Sequence, residues 1–273
     1  MKNYPALLSL LAICLSLYSC KKDKEPVPNV SDVYLTKLAF YSNGNYSGTM
    51  LMTYDNNKRL TKIMEGADIG TFSYNSDGTL SRAQRGNNYY YEFHYLDGVL
   101  QYRTTFEIMD QTTGNDTLFY KIGSNGLVDS VTFYDQLFIY TYDSNNFLKM
   151  YETQFKEYSE YYAGDTTLYE WNAQGNLVKE TLHALGGSKV TTYTYDNTPN
   201  YFGAMHFPWQ YPFITYDFET YKRSVNNCIQ ITNTHSGQIY NHNFSILELN
   251  SWGFPSKISD NGGNLMQFEY NTY

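Results

Sequence analysis

Apolar and polar residues alternate along most of this chain with a period of two, the pattern of half-buried strands. Thr71-Phe72-Ser73-Tyr74, Tyr91-Glu92-Phe93-His94-Tyr95, Thr192-Tyr193-Thr194-Tyr195 and Phe268-Glu269-Tyr270 put aromatic residues on one face and mostly Thr, Ser, Glu or His on the other. A short phrase punctuates the alternation: an aromatic residue, Asp or Asn, a turn with Gly or Asn, then an apolar residue. Tyr54-Asp55-Asn56-Asn57-Lys58-Arg59-Leu60 and Tyr74-Asn75-Ser76-Asp77-Gly78-Thr79-Leu80 are copies. Tyr142 to Leu148 and Trp171 to Leu177 are others, and degenerate copies run from Tyr95 to Leu100, Tyr120 to Leu127 and Leu249 to Pro255. The phrase returns every 20–29 residues, the range of repeat architectures. Asp77-Gly78 is a strong turn signal because Gly accepts the positive φ of a reversing chain. No window holds a helical period. Sequential hairpins of this kind build an all-β, antiparallel up-and-down meander. Twist and the need to hide edges should curl it into a barrel-like roll.

One stretch breaks the pattern. Between residues 196 and 224 Tyr201, Phe202, His206, Trp209 and Tyr211 crowd among Pro199, Pro208 and Pro212. Proline rules out a central strand or a long helix there. The simplest expectation is a cover that buries one end of the roll. The functional alternative is an aromatic groove for a sugar or apolar ligand, with Trp209, Tyr211 and Trp252 stacking on pyranose faces and His206 as polar partner.

The amino terminus reads as an export signal over residues 1–19: Lys2, then an apolar core from Leu7 to Leu17, too short to span a bilayer. Leu17-Tyr18-Ser19-Cys20 is similar to the bacterial lipobox, so Cys20 is the expected lipidation site and residues 20–32 a tether. Lys21-Lys22-Asp23-Lys24-Glu25 is similar to the charged tag of Bacteroidetes surface lipoproteins. Residues 33–273 then form a single β-repeat domain. Cys14 falls in the signal and Cys20 is lipidated, so Cys228 is left without an intrachain partner, most simply a buried structural thiol.

Composition narrows the chemistry. The chain carries 30 Tyr and 16 Phe among 273 residues and a net charge of -8. That balance excludes a basic stripe for nucleic acid. His94, His183, His206, His235 and His242 form no zinc motif, and no nucleophile elbow, phosphate loop or calcium loop is present, so neither metal nor cofactor is expected. Paired carboxylates among Glu152, Glu157, Glu160 and Glu170 would be needed for glycan hydrolysis, yet acids on strand faces are usually solvated. Asp116-Thr117-Leu118, Asp129-Ser130-Val131 and Asp165-Thr166-Thr167 fit an Asp-Ser/Thr-apolar pattern similar to that of Bacteroidetes O-glycosylation sites.

The phrase resembles the YD repeats of the RHS family. The repeats, the run Tyr195-Asp196-Asn197-Thr198-Pro199-Asn200-Tyr201-Phe202, and Ser224-Val225-Asn226-Asn227 with Gly253-Phe254-Pro255-Ser256-Lys257 together resemble the DUF4595-like lipoproteins of Bacteroidetes. That resemblance implies a porin-like all-β roll and no activity. The resulting expectation is a non-enzymatic, surface-exposed outer-membrane lipoprotein that binds or scaffolds carbohydrate or a surface protein. The alternatives are an integral porin-like barrel and, more remotely, a glycan-active hydrolase.

Overall fold

The computed structural model describes residues 32–86, 89–107, 116–157, 160–206 and 224–272. Eighteen strands form one sheet. They are β1 (Val33–Ser42), β2 (Asn45–Tyr54), β3 (Leu60–Glu65), β4 (Asp68–Tyr74), β5 (Leu80–Arg85), β6 (Tyr89–Leu96), β7 (Val99–Glu107), β8 (Thr117–Ile122) and β9 (Val128–Phe133). Then come β10 (Gln136–Tyr142), β11 (Leu148–Glu157), β12 (Glu160–Trp171), β13 (Leu177–Ala184), β14 (Gly187–Pro199), β15 (Asn226–His235), β16 (Gln238–Leu249), β17 (Pro255–Asp260) and β18 (Asn264–Thr272). Every strand pairs antiparallel with its neighbours in sequence. The last closes on the first, Val33 opposite Thr272 and Ser42 opposite Asn264. The expected roll is therefore a complete barrel, which abolishes the sheet edge. The described residues hold one short 3-10 turn, Gly203–Met205. β14 extends to Pro199, opposite Asn226, so the first residues of the irregular stretch belong to the wall; proline, lacking an N–H, stands where the ladder stops.

The phrase is the local engine of this ring. In each of the seven hairpins that carry it the register slips by one residue beside the turn. Ser73 stands opposite Arg82 while Tyr74 stands opposite Leu80, which leaves Ser81 as a bulge. The extra residue lets Leu80 and Ala83 both face inward. The turn itself is held by the polar residue after the aromatic. Asp143 Oδ1 accepts the N–H groups of Asn145 and Phe147 at 2.8 and 2.9 Å. Asn172 and Asn250 accept the equivalent pairs at 3.0 Å. Gly78 supplies the positive φ, +90°, that the tight reversal requires. One degenerate copy is shifted: Ile122 faces Val128 in place of Tyr120 and Leu127, whereas Leu249 faces Pro255 as its phrase reads.

The aromatic of one phrase reaches back to the one before. Tyr54 Oη donates to the Leu35 carbonyl at 2.7 Å, Tyr74 to Leu60 at 2.8 Å and Tyr95 to Leu80 at 2.8 Å. Tyr142 donates to Val128 at 3.0 Å, Tyr195 to Leu177 at 2.6 Å and Tyr270 to Pro255 at 2.7 Å. At Trp171 the indole Nε1 makes the same bond to Leu148, 2.7 Å. A ring buried with its polar atom satisfied is what Tyr and Trp offer and Phe does not. This accounts for tyrosine at six of these positions.

Residues paired across a ladder share a face. One outward row reads Ser73, Arg82, Glu92, Thr104, Thr117. Another reads Glu170, Lys179, Thr192, Thr232, Asn241. Cross-strand ion pairs stud this outer wall: Lys37–Glu269 at 2.6 Å, Lys179–Glu170 at 2.7 Å and Lys257–Glu248 at 3.3 Å. The inner face packs Leu38, Met52, Leu60, Phe72, Leu80, Phe93, Val131, Ile258 and Phe268 into one cluster with Met205 and Phe254. Arg103 lies inside this cluster region at 5% exposure, its guanidinium 4.2 Å from the Tyr91 ring centre, a cation–π contact strengthened by exclusion of water. Burial pushes the neighbouring Tyr120 phenol up to about 12.

Candidate functional site

All the phrase turns lie at one end of the barrel, with Val33, Thr272 and the 3-10 turn. At this phrase end His206 follows the turn. Its ring stacks on Tyr34 at 4.1 Å and its Nε2 lies 3.0 Å from the Val33 carbonyl. Burial lowers its pKa, despite that hydrogen bond. Trp252 sits in the β16–β17 turn, packed against the core cluster, its N–H donated to Asn250. His206 and Trp252 thus share one end but each is engaged in holding the barrel. Trp209, Tyr211 and Cys20 lie outside the described residues.

An asparagine clasp ties this end together. Asn176 Nδ2 donates to Asn226 Oδ1 at 2.9 Å, and the Asn226 N–H donates to Asn176 Oδ1 at 2.9 Å. Asn200 Nδ2 donates to the Ser224 carbonyl at 2.7 Å, and the Ser224 hydroxyl donates to Tyr195 Oη at 2.9 Å. Asn227, 1% exposed, accepts the Tyr201 N–H and donates to Thr198 Oγ1. These bonds fix both ends of the irregular stretch to the wall, at separations of up to 50 residues. Beside the clasp, Asn200, Tyr201, Phe202, Cys228, Phe244, Ile258 and Met266 line a pocket whose water-accessible core is about 20 Å³, room for about one water. A pyranose does not fit it. Cys228, half-buried there, lies opposite Tyr195 with Sγ 3.3 Å from the Gln230 carbonyl.

Of the candidate acids only Glu157 and Glu160 come together. Glu170 is paired with Lys179, Glu152 accepts from Gln154 at 2.6 Å, and Glu157 and Glu160 face each other at the tip of β11 and β12. His94 stacks on Tyr102, His183 lies 3.0 Å from Ser188, and His242 lies 3.5 Å from Asp260. Among the described residues no three His, Cys, Asp or Glu side chains gather to hold a metal ion.

Large apolar side chains meet solvent at both ends, Leu96, Val99, Val225 and Leu249 at the phrase end and a tyrosine-rich set at the opposite, far rim. Tyr46, Tyr134, Tyr161, Tyr162, Ile239 and Tyr240 are all exposed there. The interior behind this rim, along β12 to β16, is polar: Tyr169, Glu180, Thr191, Asn233 and Tyr240 form one inward row. Tyr193 lies 3.3 Å from Glu180, and Thr191 donates to Asn233 at 2.8 Å. Nothing in the local pattern marks this row, since Thr and Asn alternate on both faces of these strands.

No family model matches the chain, and no curated protein is similar to it. The likeness to the DUF4595-like and RHS families therefore remains one of motifs. Among solved structures, the chain is similar to a porin-like protein from Bacteroides uniformis, at 12% identity and a TM-score of 0.48, over 87% of this chain and 98% of that one. A porin-like protein from Bacteroides vulgatus is similar at 13% identity and 0.44, over 88% and 99%. A Photorhabdus luminescens Tc holotoxin pore is similar at 16% identity and 0.35, over 80% of this chain and 12% of that chain. At these identities and scores none of them bears on function.

Proposed function

We propose that the chain is an outer-membrane-associated barrel, tethered by a lipid on Cys20, whose wall faces water and which binds rather than catalyses. The observation that carries this reading is the outer wall. Two of its rows are Ser, Arg, Glu and Thr and then Glu, Lys, Thr and Asn, and charged pairs bridge neighbouring strands, while a third row, Leu168, Thr181, Val190, Thr234 and Ile239, is partly apolar. A bilayer-spanning strand needs an apolar outward band, and Lys or Arg at the midplane costs roughly 2–4 kcal/mol each. Along β17, β18 and β1 to β9 the polarity runs the other way, with the apolar residues inside. Aromatic side chains at the rims supply the binding surface, for a glycan or a surface protein.

Ring closure supports a second reading, the integral porin-like barrel, because a membrane-spanning sheet must have no edge. Leu51, Phe119, Leu168 and Leu247 are its exposed apolar wall residues.

Labelling cells with an alkyne-tagged fatty acid separates the two. The tethered reading expects label on the native protein and release of Cys20→Ala into the aqueous fraction. A Cys20→Ala protein that still needs detergent for extraction contradicts it and favours the integral barrel. For the glycan arm, Trp209→Ala should abolish retention on a glycan array with the melting temperature nearly unchanged.

A further inference from the structure

Every strand of the ring has a partner on both sides, but at the far rim one hairpin outruns its neighbour. β12 pairs with β11 from Glu160 onward, Glu160 opposite Glu157 and Tyr162 opposite Phe155. Its pairing with β13 begins only at Thr166, opposite His183. The β13–β14 hairpin turns back at Ala184 and Gly187. Residues 160–165 therefore run past the end of β13, and their second backbone edge meets no strand among the described residues. On the other side β10 reaches only Phe155. The β11–β12 hairpin stands beyond the rim as a two-stranded tab.

This tab has the features of an edge that recruits a strand. Tyr161, Tyr162 and Ala163 are exposed, as is Phe155 on the paired strand. The exposed run carries no proline or lysine in β12, two of the devices that blunt an edge, and its one bulge, at Gly164 and Asp165, lies at the inner end next to the ladder with β13. Gly164 fixes the tab against β11: a Cβ there would meet Thr153 Oγ1 at 2.5 Å and the Thr153 carbonyl at 2.9 Å. Thr153 Oγ1 in turn accepts the Asp165 N–H at 2.9 Å. The edge is thus held in place rather than free to fold back.

We infer that residues 160–165 of β12 are a docking edge for an extended, cationic segment of another protein, which adds to the tab as a further strand. Charge selects this occupant. Glu157, Glu160 and Asp165 surround the aromatic pair, against Lys156, whose Nζ lies over the Tyr161 ring at 5.9 Å. A second copy of this chain is disfavoured: antiparallel self-pairing centred on Tyr162 and Ala163 sets Glu160 against Asp165, like charge against like. Affinity comes from main-chain hydrogen bonds and apolar contact with the tyrosines, register and specificity from the acids. The inference rests on the binding reading above and narrows it to a protein partner at one place.

Hydrogen exchange on the intact chain tests it, with a peptide alternating Lys and Val as probe and its Glu-for-Lys counterpart as control. The Lys peptide should slow exchange at residues 160–165, and bind about tenfold more tightly than the Glu peptide at low salt, less so at high salt. Ala163→Pro should remove the protection. Glu160→Lys, at an exposed site that leaves folding intact, should narrow the preference between the two peptides. Equal slowing by both peptides, no slowing by either, or protection of these amides by self-association at high protein concentration would each overturn the inference. Glycan retention that survives all three outcomes would leave the wider binding reading standing.

Discussion

The arc made of β17, β18 and β1 to β9 is dry inside, whereas the arc from β11 to β16 is not. The first buries Leu35, Leu60, Phe72, Leu80 and Phe268 in one cluster. The second buries Thr167, Thr191 and Asn227, and its inward rows run through Glu180 and Asn233. Both arcs carry the same turn phrase and the same tyrosine-to-carbonyl bond, Tyr74 to Leu60 in one and Tyr195 to Leu177 in the other. The shared device therefore makes the ring, and what lies between the phrases decides whether a sector is core or working surface. The wet arc also has the longest strands and the protruding tab. Its amides should open more readily than those of the dry arc, since local stability follows apolar burial.

The largest expected effect breaks the dry arc. Leu80→Ala, at a site with 0% exposure, should cost about 2–5 kcal/mol in denaturant unfolding. Leu168→Ala, at 39% exposure on the outer wall of the wet arc, should stay within about 0.5 kcal/mol. Similar losses at both sites would erase the distinction between the arcs. Next comes the bond both share. Tyr74→Phe and Trp171→Phe should each lose about 1 kcal/mol or more, with Trp171→Tyr retaining more than Trp171→Phe because a donor remains. If Phe is as good as Tyr at these sites, the ladder of carbonyl bonds contributes nothing.

Acid should act on the turns capped by Asp, Asp55 in a phrase and Asp260 between β17 and β18, and spare those capped by Asn. Burial alone would raise the Asp55 carboxyl, but the N–H groups of Arg59 and Asn57 and the Arg59 guanidinium outweigh it and hold it below its ordinary 3.8. Asp260 is likewise lowered: burial opposes, and Asn264, Gly262 and His242 prevail. A carboxyl lowered in the folded state adds stability above its unfolded value, and that stability is lost as pH falls through the folded value. Melting temperature should therefore drop below about pH 4. In Asp55→Asn/Asp260→Asn the drop should shrink, because an amide oxygen still caps the turn, as Asn172 and Asn250 do. The smallest effect lies on the wall: Lys179→Ala, breaking an exposed pair with Glu170, should change stability by no more than about 1 kcal/mol.

Much of this was legible in the chain, because the devices are local. Asp77-Gly78 announces a turn, and the alternation Thr71-Phe72-Ser73-Tyr74 announces the inward face. Ring closure was not legible: Val33 pairs with Thr272, and no local signal links strands at opposite ends of a chain. The asparagine clasp was hidden for the same reason, Asn176 meeting Asn226 across 50 residues. The shifted copy, Ile122 with Val128 in place of Tyr120 with Leu127, shows where a loose phrase misleads. Of the proposed ligand-contacting residues, His206 and Trp252 fall at the phrase end, and their contacts with Val33, Tyr34 and the core were beyond local reading.

That polarity is turned outward and apolarity inward is most directly tested by producing residues 26–273 without lipid or detergent. Sedimentation should show a single monomeric species with the strand-rich circular dichroism of the intact barrel. Precipitation relieved only by detergent micelles would contradict it and make the wall a membrane surface.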